Sequence, residues 1–180
     1  MVVFAALLLT ILAWGALLFF ISPDEIVERI GITNGYLILF FIALFGGVTS
    51  LTSGSYFATV ITLALGGLNP LILALVSASA ATIGDTVFFY LGHHGHAALT
   101  QGRVQSFVER LTHALERRPW WHTSVGVYVL AAVTPVPNEL IATSLGLAQR
   151  SFFTVVPPLA LGNMTLAYLI ATLSVAATSL

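Results

Sequence analysis

Residues 31–84 form a run of 54 positions without a single charged side chain. Its section 36–67 alone would make a straight helix of about 48 Å at 1.5 Å per residue, whereas a bilayer core is about 30 Å thick. The run must therefore break and turn. The break is legible: residues 46–55, Gly-Gly-Val-Thr-Ser-Leu-Thr-Ser-Gly-Ser, are polar and glycine-rich, unlike their neighbours. Non-helical backbone at membrane depth persists only where protein or a wet cavity surrounds it, so a broken helix or re-entrant hairpin is expected, with Ser and Thr hydroxyls serving the freed backbone groups.

The composition agrees. Of 180 residues, 58% are hydrophobic and 7% charged, against roughly 25% charged in a soluble domain. The chain reads as an all-α polytopic membrane protein. A net charge of −1 and the absence of lysine argue against a nucleic-acid or polybasic membrane-surface role. The absence of cysteine removes disulfides, thiolate chemistry and Cys-based metal sites.

Ten of the 13 charges fall in two stretches, residues 24–29 and 103–118, which read as the water-exposed connections. The remaining three are Asp85, Glu139 and Arg150. An ionisable residue inside a membrane segment is expensive and hence a functional candidate.

Along the chain, residues 1–21 read as a retained apolar span. Ser22-Pro23-Asp24-Glu25 then has the pattern of a cap opening a short interfacial helix near 23–30. Asn69-Pro70 restarts the chain into a span, about 71–91, that carries Asp85. Residues 93–122 form an amphipathic connection lying on the membrane, with Trp120 and Trp121 as an interfacial anchor; its four arginines and two glutamates assign it to the cytoplasmic side. Residues 125–147 are interrupted by Thr134-Pro135-Val136-Pro137-Asn138-Glu139, where proline breaks a helix. If this segment dips in and returns, Arg150 lies on the same side as the arginine-rich connection. A last span runs from 151 to about 176. The organisation expected is an N-terminal span with a short interfacial helix (1–34) and a membrane domain (35–180). The latter comprises a first hairpin half (36–92), the connection (93–122) and a second hairpin half (125–176).

The halves echo one another. Gly54-Ser55-Tyr56-Phe57-Ala58-Thr59 leads to Leu65-Gly66 and Gly84-Asp85; Asn138-Glu139-Leu140-Ile141-Ala142-Thr143 leads to Leu145-Gly146 and Gly162-Asn163. Paired, interrupted hydrophobic segments point to an inverted-repeat transporter with its site near the midplane.

Three segments carry a resemblance to a known family: Ala64-Leu65-Gly66-Gly67-Leu68-Asn69-Pro70; Ala81-Thr82-Ile83-Gly84-Asp85 with Tyr90-Leu91-Gly92-His93-His94-Gly95; and Thr134-Pro135-Val136-Pro137-Asn138-Glu139 with Leu145-Gly146-Leu147. Over roughly residues 45–175 the chain resembles the DedA/VTT (SNARE-associated, VTT-domain) family of membrane proteins. The resemblance implies two facing re-entrant hairpins and movement of lipids, phospholipid or polyprenyl-phosphate carrier, between leaflets by a flippase or scramblase. On this view Asp85 matches the family's Gly-Asp acid, and Pro135, Pro137, Asn138 and Glu139 match its second hairpin. The chain departs from many bacterial members in having Thr52-Ser53-Gly54-Ser55 in place of an acid-bearing Pro-x-Pro-x-Glu hairpin. It also has Ala132 and Asn138 in place of arginines that would hold a phosphate.

Asp85 reads either as a proton-coupling or headgroup-orienting carboxyl or as a structural acid capping a hairpin amide. Glu139 carries the same two readings, because it could accept N–H bonds where a broken helix restarts. Asn138 and Asn163 read as substrate-facing or as glue between helices. Gly54, Ser55, Pro135 and Pro137 shape the hairpins. His93, His94 and His96 could ligate a metal, but an interfacial turn explains them better, and no metal or cofactor is expected. An intramembrane protease fails on the sequence: residue 82 is Thr, not Gly, and all five histidines lie between 93 and 122. No catalytic residue and no enzyme activity are expected. The remaining rivals are a proton-coupled ion or small-solute transporter and a structural scaffold. The partners expected are membrane lipids, with self-association into a homo-oligomer allowed, and the location is the plasma membrane.

Overall fold

The computed structural model describes residues 23–46, 53–95, 119–133 and 138–178. All regular structure among them is helical. The helices are α1 (Pro23–Ile30), α2 (Ile32–Gly46), α3 (Ser53–Leu65), α4 (Pro70–Gly95), α5 (Trp120–Val133), α6 (Asn138–Leu147) and α7 (Phe152–Thr178). The expected span 1–21, the patch 47–52, the connection 96–118 and the Pro135–Pro137 turn lie outside the described residues. The helices flanking them nevertheless stop and restart at the expected breaks. Among the described residues two helices, α4 and α7, are long and apolar enough to cross a membrane; their 26 and 27 residues correspond to about 39 and 40 Å.

The chain divides into two compact units, Met1–Ala81 with Asn163–Leu180, and Thr82–Gly162. In the first, α2 and α3 fold back on each other. Leu39, Val60, Leu63 and Leu73 form its core with Val27 and Ala171. The start of α2 meets the end of α3, where the Tyr36 hydroxyl accepts the Asn69 N–H at 3.3 Å.

In the second unit α5 and α6 form the corresponding pair. The first turn of α5 lies beside the first turn of α7, because the Ser124 hydroxyl donates to the Thr154 carbonyl at 3.0 Å. The end of α6 reaches the same place through a four-residue connection, so the pair returns to the end from which it set out. Phe89, Val127, Ala131, Ala142, Leu145 and Leu159 fill the space between.

The two pairs end in the same way. After α3, Leu68 N–H bonds to the Leu63 carbonyl and Gly67 N–H to the Ala64 carbonyl, both at 3.1 Å, with Gly67 at φ +86°. After α6, Arg150 N–H bonds to the Leu145 carbonyl at 3.1 Å and Gln149 N–H to the Gly146 carbonyl at 2.9 Å, with Gln149 at φ 54°. Both are left-handed C-caps that consume the carbonyls a helix end leaves unpaired. Gln149 occupies a conformation that glycine enters more easily, and its side chain is tied down by a 2.8 Å bond to the His93 carbonyl. Each cap leads straight into a long helix: Asn69 Oδ1 receives the Leu71 and Ile72 N–H groups at 2.9 and 3.4 Å, while Ser151 pairs with Thr154 at 2.7 Å. The caps fix a register of 82 residues between the halves, Gly67 matching Gln149. The echo drawn from sequence drifts about this value. It sets Gly84-Asp85 against Gly162-Asn163, whereas the caps place Asn163 opposite Ala81, one helical turn earlier.

Within the second unit α4 and α6 touch backbone to backbone. A Cβ on Gly146 would overlap the Phe89 carbonyl, and one on Gly92 would overlap the Thr143 carbonyl. Glycine is required at both positions, as in the close small-residue contacts of membrane helices. A Cβ on Gly126, by contrast, would meet nothing within 4 Å. We expect Gly92→Ala and Gly146→Ala each to lower stability by about 1–3 kcal/mol through forced separation of the two helices. Gly126→Ala should be neutral or slightly stabilising, since alanine is the better helix former. Thermal unfolding of the purified protein in detergent, followed by circular dichroism, checks this; equal losses in all three variants would contradict it.

Candidate functional site

The distribution of polarity narrows the search. Large apolar side chains lie on the outside, with Phe153 81% and Leu173 65% exposed, while Ser77, Asp85, Thr62 and Asn163 are buried. Hydroxyls on these apolar helices are mostly satisfied within their own helix. Thr59 donates to the Ser55 carbonyl, Thr86 to that of Thr82, and Ser174 to that of Ile170, each at 2.7 Å. Such i−4 back-bonding lets a hydroxyl sit on an apolar helix without an orphaned group.

Asp85 sits on α4 in the second unit and is 3% exposed. Asn138 and Glu139 open α6 in the same unit, both half-buried, and the Glu139 carboxylate accepts a hydrogen bond from its own backbone N–H. Gly54, Ser55 and Asn163 belong to the first unit, so the candidate residues fall into two groups. Pro135 and Pro137 lie outside the described residues.

Asp85 and Glu139 share a relation to the glycine contact. Asp85 precedes Gly92 by seven residues, and Glu139 precedes Gly146 by seven. Seven residues are close to two helical turns, so each acid lies on the face of its helix that carries the contact glycine, about 10 Å further back. Both helices run toward the 148–151 connection: Phe88 and Phe89 pack with Ala131 and Leu159, and His93, one turn on from Phe89, meets Gln149. The two acids therefore lie on the same side of the contact, along one interface. Seven-residue spacing to a glycine is present in the sequence, but the partner glycine that gives it meaning is 54 positions away.

Sequence reasoning missed three further features. Tyr56 is hydrogen-bonded to Ser77, and the 82-residue register makes Tyr56 the counterpart of Asn138, a polar group at the same height of each returning helix. His93 Nδ1, Thr123 Oγ1 and one Arg150 nitrogen are buried with no hydrogen-bond partner among the described residues. Finally, α7 contains Pro157 and Pro158. Pro158 has no N–H for the Thr154 carbonyl, and that carbonyl is the one the Ser124 hydroxyl serves. Among the described residues no group of three or more His, Asp or Glu side chains is placed to hold a metal.

No family model, no curated protein and no solved structure matches the chain.

Ser124→Ala should cost about 1–2 kcal/mol by leaving the Thr154 carbonyl unsatisfied. In a Pro158→Ala background, where residue 158 can bond that carbonyl itself, the cost should fall close to zero. A double-mutant cycle by thermal unfolding measures the difference; identical costs in both backgrounds would refute the assignment.

Proposed function

We propose that the chain is a multi-pass plasma-membrane protein of the DedA/VTT kind, with two re-entrant hairpins in an inverted repeat, that moves lipids between leaflets. The observation that carries the proposal is the pair of carboxyl groups on one helix interface, Asp85 buried and Glu139 half-buried, in a molecule whose exposed helix faces are dominated by large apolar side chains. An ionisable side chain among apolar helices is expensive to keep and marks a functional position, here one suited to engaging a polar headgroup. The repeated hairpin, cap and long helix support the same reading, because paired interrupted helices are the usual frame for a midplane site. The apolar exterior supports the membrane setting, since contiguous apolar faces on this scale are rare on soluble monomers.

The test is reconstitution of the purified protein into liposomes with fluorescent phospholipid in one leaflet. The wild type should equilibrate the probe between leaflets. Asp85→Asn should slow this at least about tenfold, equivalent to roughly 1.4 kcal/mol of barrier, and Glu139→Gln by a smaller factor. Wild-type rates in both variants would remove these residues from the site. Absence of lipid movement together with proton-driven uptake of a small solute would replace the proposal with a solute transporter; inactivity in both assays would favour a scaffold.

A further inference from the structure

Arg150, the one isolated charge that the proposed site leaves unused, lies at the cap end of the second unit. Three elements meet at that end: the last turn of α4, the first turn of α5 and the connection from α6 to α7. Each brings a buried polar atom that has no partner among the described residues, namely His93 Nδ1, Thr123 Oγ1 and Arg150 Nη2. Each of these residues is also joined to the other elements directly or through its neighbour. Gln149 donates to the His93 carbonyl at 2.8 Å, Ser124 to the Thr154 carbonyl at 3.0 Å, and Ser151 pairs with the Thr154 hydroxyl at 2.7 Å.

Thr123 is only 6% exposed, so solvent does not serve its hydroxyl. Arg150 forms no ion pair among the described residues. A shielded guanidinium nitrogen without a carboxylate is costly unless an anion joins it. A hydroxyl, a guanidinium N–H and an imidazole nitrogen that donates in one tautomer form a set suited to an oxyanion, and the guanidinium fork matches phosphate geometry. Next to these donors the surface is apolar and aromatic: Phe153 is 81%, Trp120 68% and Trp121 49% exposed. Amphipathic aromatic rings of this kind sit at headgroup level.

We propose that His93, Thr123 and Arg150 bind the phosphate group of a membrane lipid at the end of the second unit, at the headgroup level. The site stands on its own donors; only its role as a loading point rests on the lipid-moving reading.

The test is a binding titration of the full chain in detergent with dioctanoyl phosphatidic acid, inorganic phosphate and dioctanoylglycerol, read by thermal shift and calorimetry. Phosphatidic acid should bind and raise the melting temperature, and dioctanoylglycerol should do neither. Arg150→Gln should weaken binding at least about tenfold and Thr123→Val several-fold, while Arg29→Gln, at an exposed arginine paired with Glu25 at 3.8 Å, should leave it unchanged. Without ligand, Arg150→Gln should melt no lower than the wild type, whereas a purely structural arginine would lower it. Arg150→Lys, which keeps the charge, and Thr123→Val provide the test if Arg150→Gln fails to fold. Phosphatidic acid binding more tightly than inorganic phosphate assigns the lipid source; equal binding that is lost in Arg150→Gln assigns a phosphate site filled from solution and overturns the lipid assignment. Equal affinity of all variants, or equal binding of dioctanoylglycerol, overturns the site itself. Lipid movement measured on the same preparations keeps the two proposals apart. Binding without movement removes the proposed function and leaves this site; movement with unchanged binding in Arg150→Gln does the reverse.

Discussion

Each helix end and each internal proline in this chain releases carbonyl or amide groups that a surrounding of Leu, Val and Phe cannot solvate, and each unserved group costs on the order of 1–3 kcal/mol. The structure supplies a protein partner at many such points. The carbonyls at the ends of α3 and α6 are consumed by left-handed caps at Gly67 and Gln149. The first amides of α4 go to Asn69, and the carbonyl released by Pro158 goes to Ser124. This need for partners explains why polar residues in so apolar a chain cluster at breaks.

The same need recurs at the ends of α3 and α6. A helix that must stop inside apolar surroundings, turn and go back requires a cap that turns the chain sharply and a fresh N-cap directly after it. The chain meets that requirement twice, 82 residues apart, with different residues. Gly67 enters the left-handed region at no cost, whereas Gln149 is held there by its side-chain bond to His93. The two halves share the backbone problem more closely than they share side chains. The close contact of α4 and α6 is a property of the second unit, where Gly92 and Gly146 allow the backbones to meet.

Much of the fold was legible because breaks in an apolar helix have strong local signals. Asn69-Pro70 gave the start of α4 to within a residue, and helices stop before and restart after the polar patch and the Pro-x-Pro motif. The register of the repeat was not legible, because Leu-Gly and Ala-Thr pairs recur by chance in such sequence and only the hydrogen bonds at the caps distinguish Leu65-Gly66 from its true counterpart, Leu147-Ala148. The buried position of Asp85 was anticipated from its isolation among apolar residues. Its relation to Glu139 was not, since it depends on which of the 15 glycines lie against a neighbouring helix backbone.

The lipid-moving reading requires α5 and α6 to enter a membrane and return to the side they came from. The chain has no cysteine, so single cysteines introduced at the exposed positions His122 and Gln149 report topology without background. In sealed vesicles treated with a membrane-impermeant thiol reagent, both positions should label from the same side. Labelling from opposite sides would show that the segment crosses fully and would contradict the re-entrant hairpin.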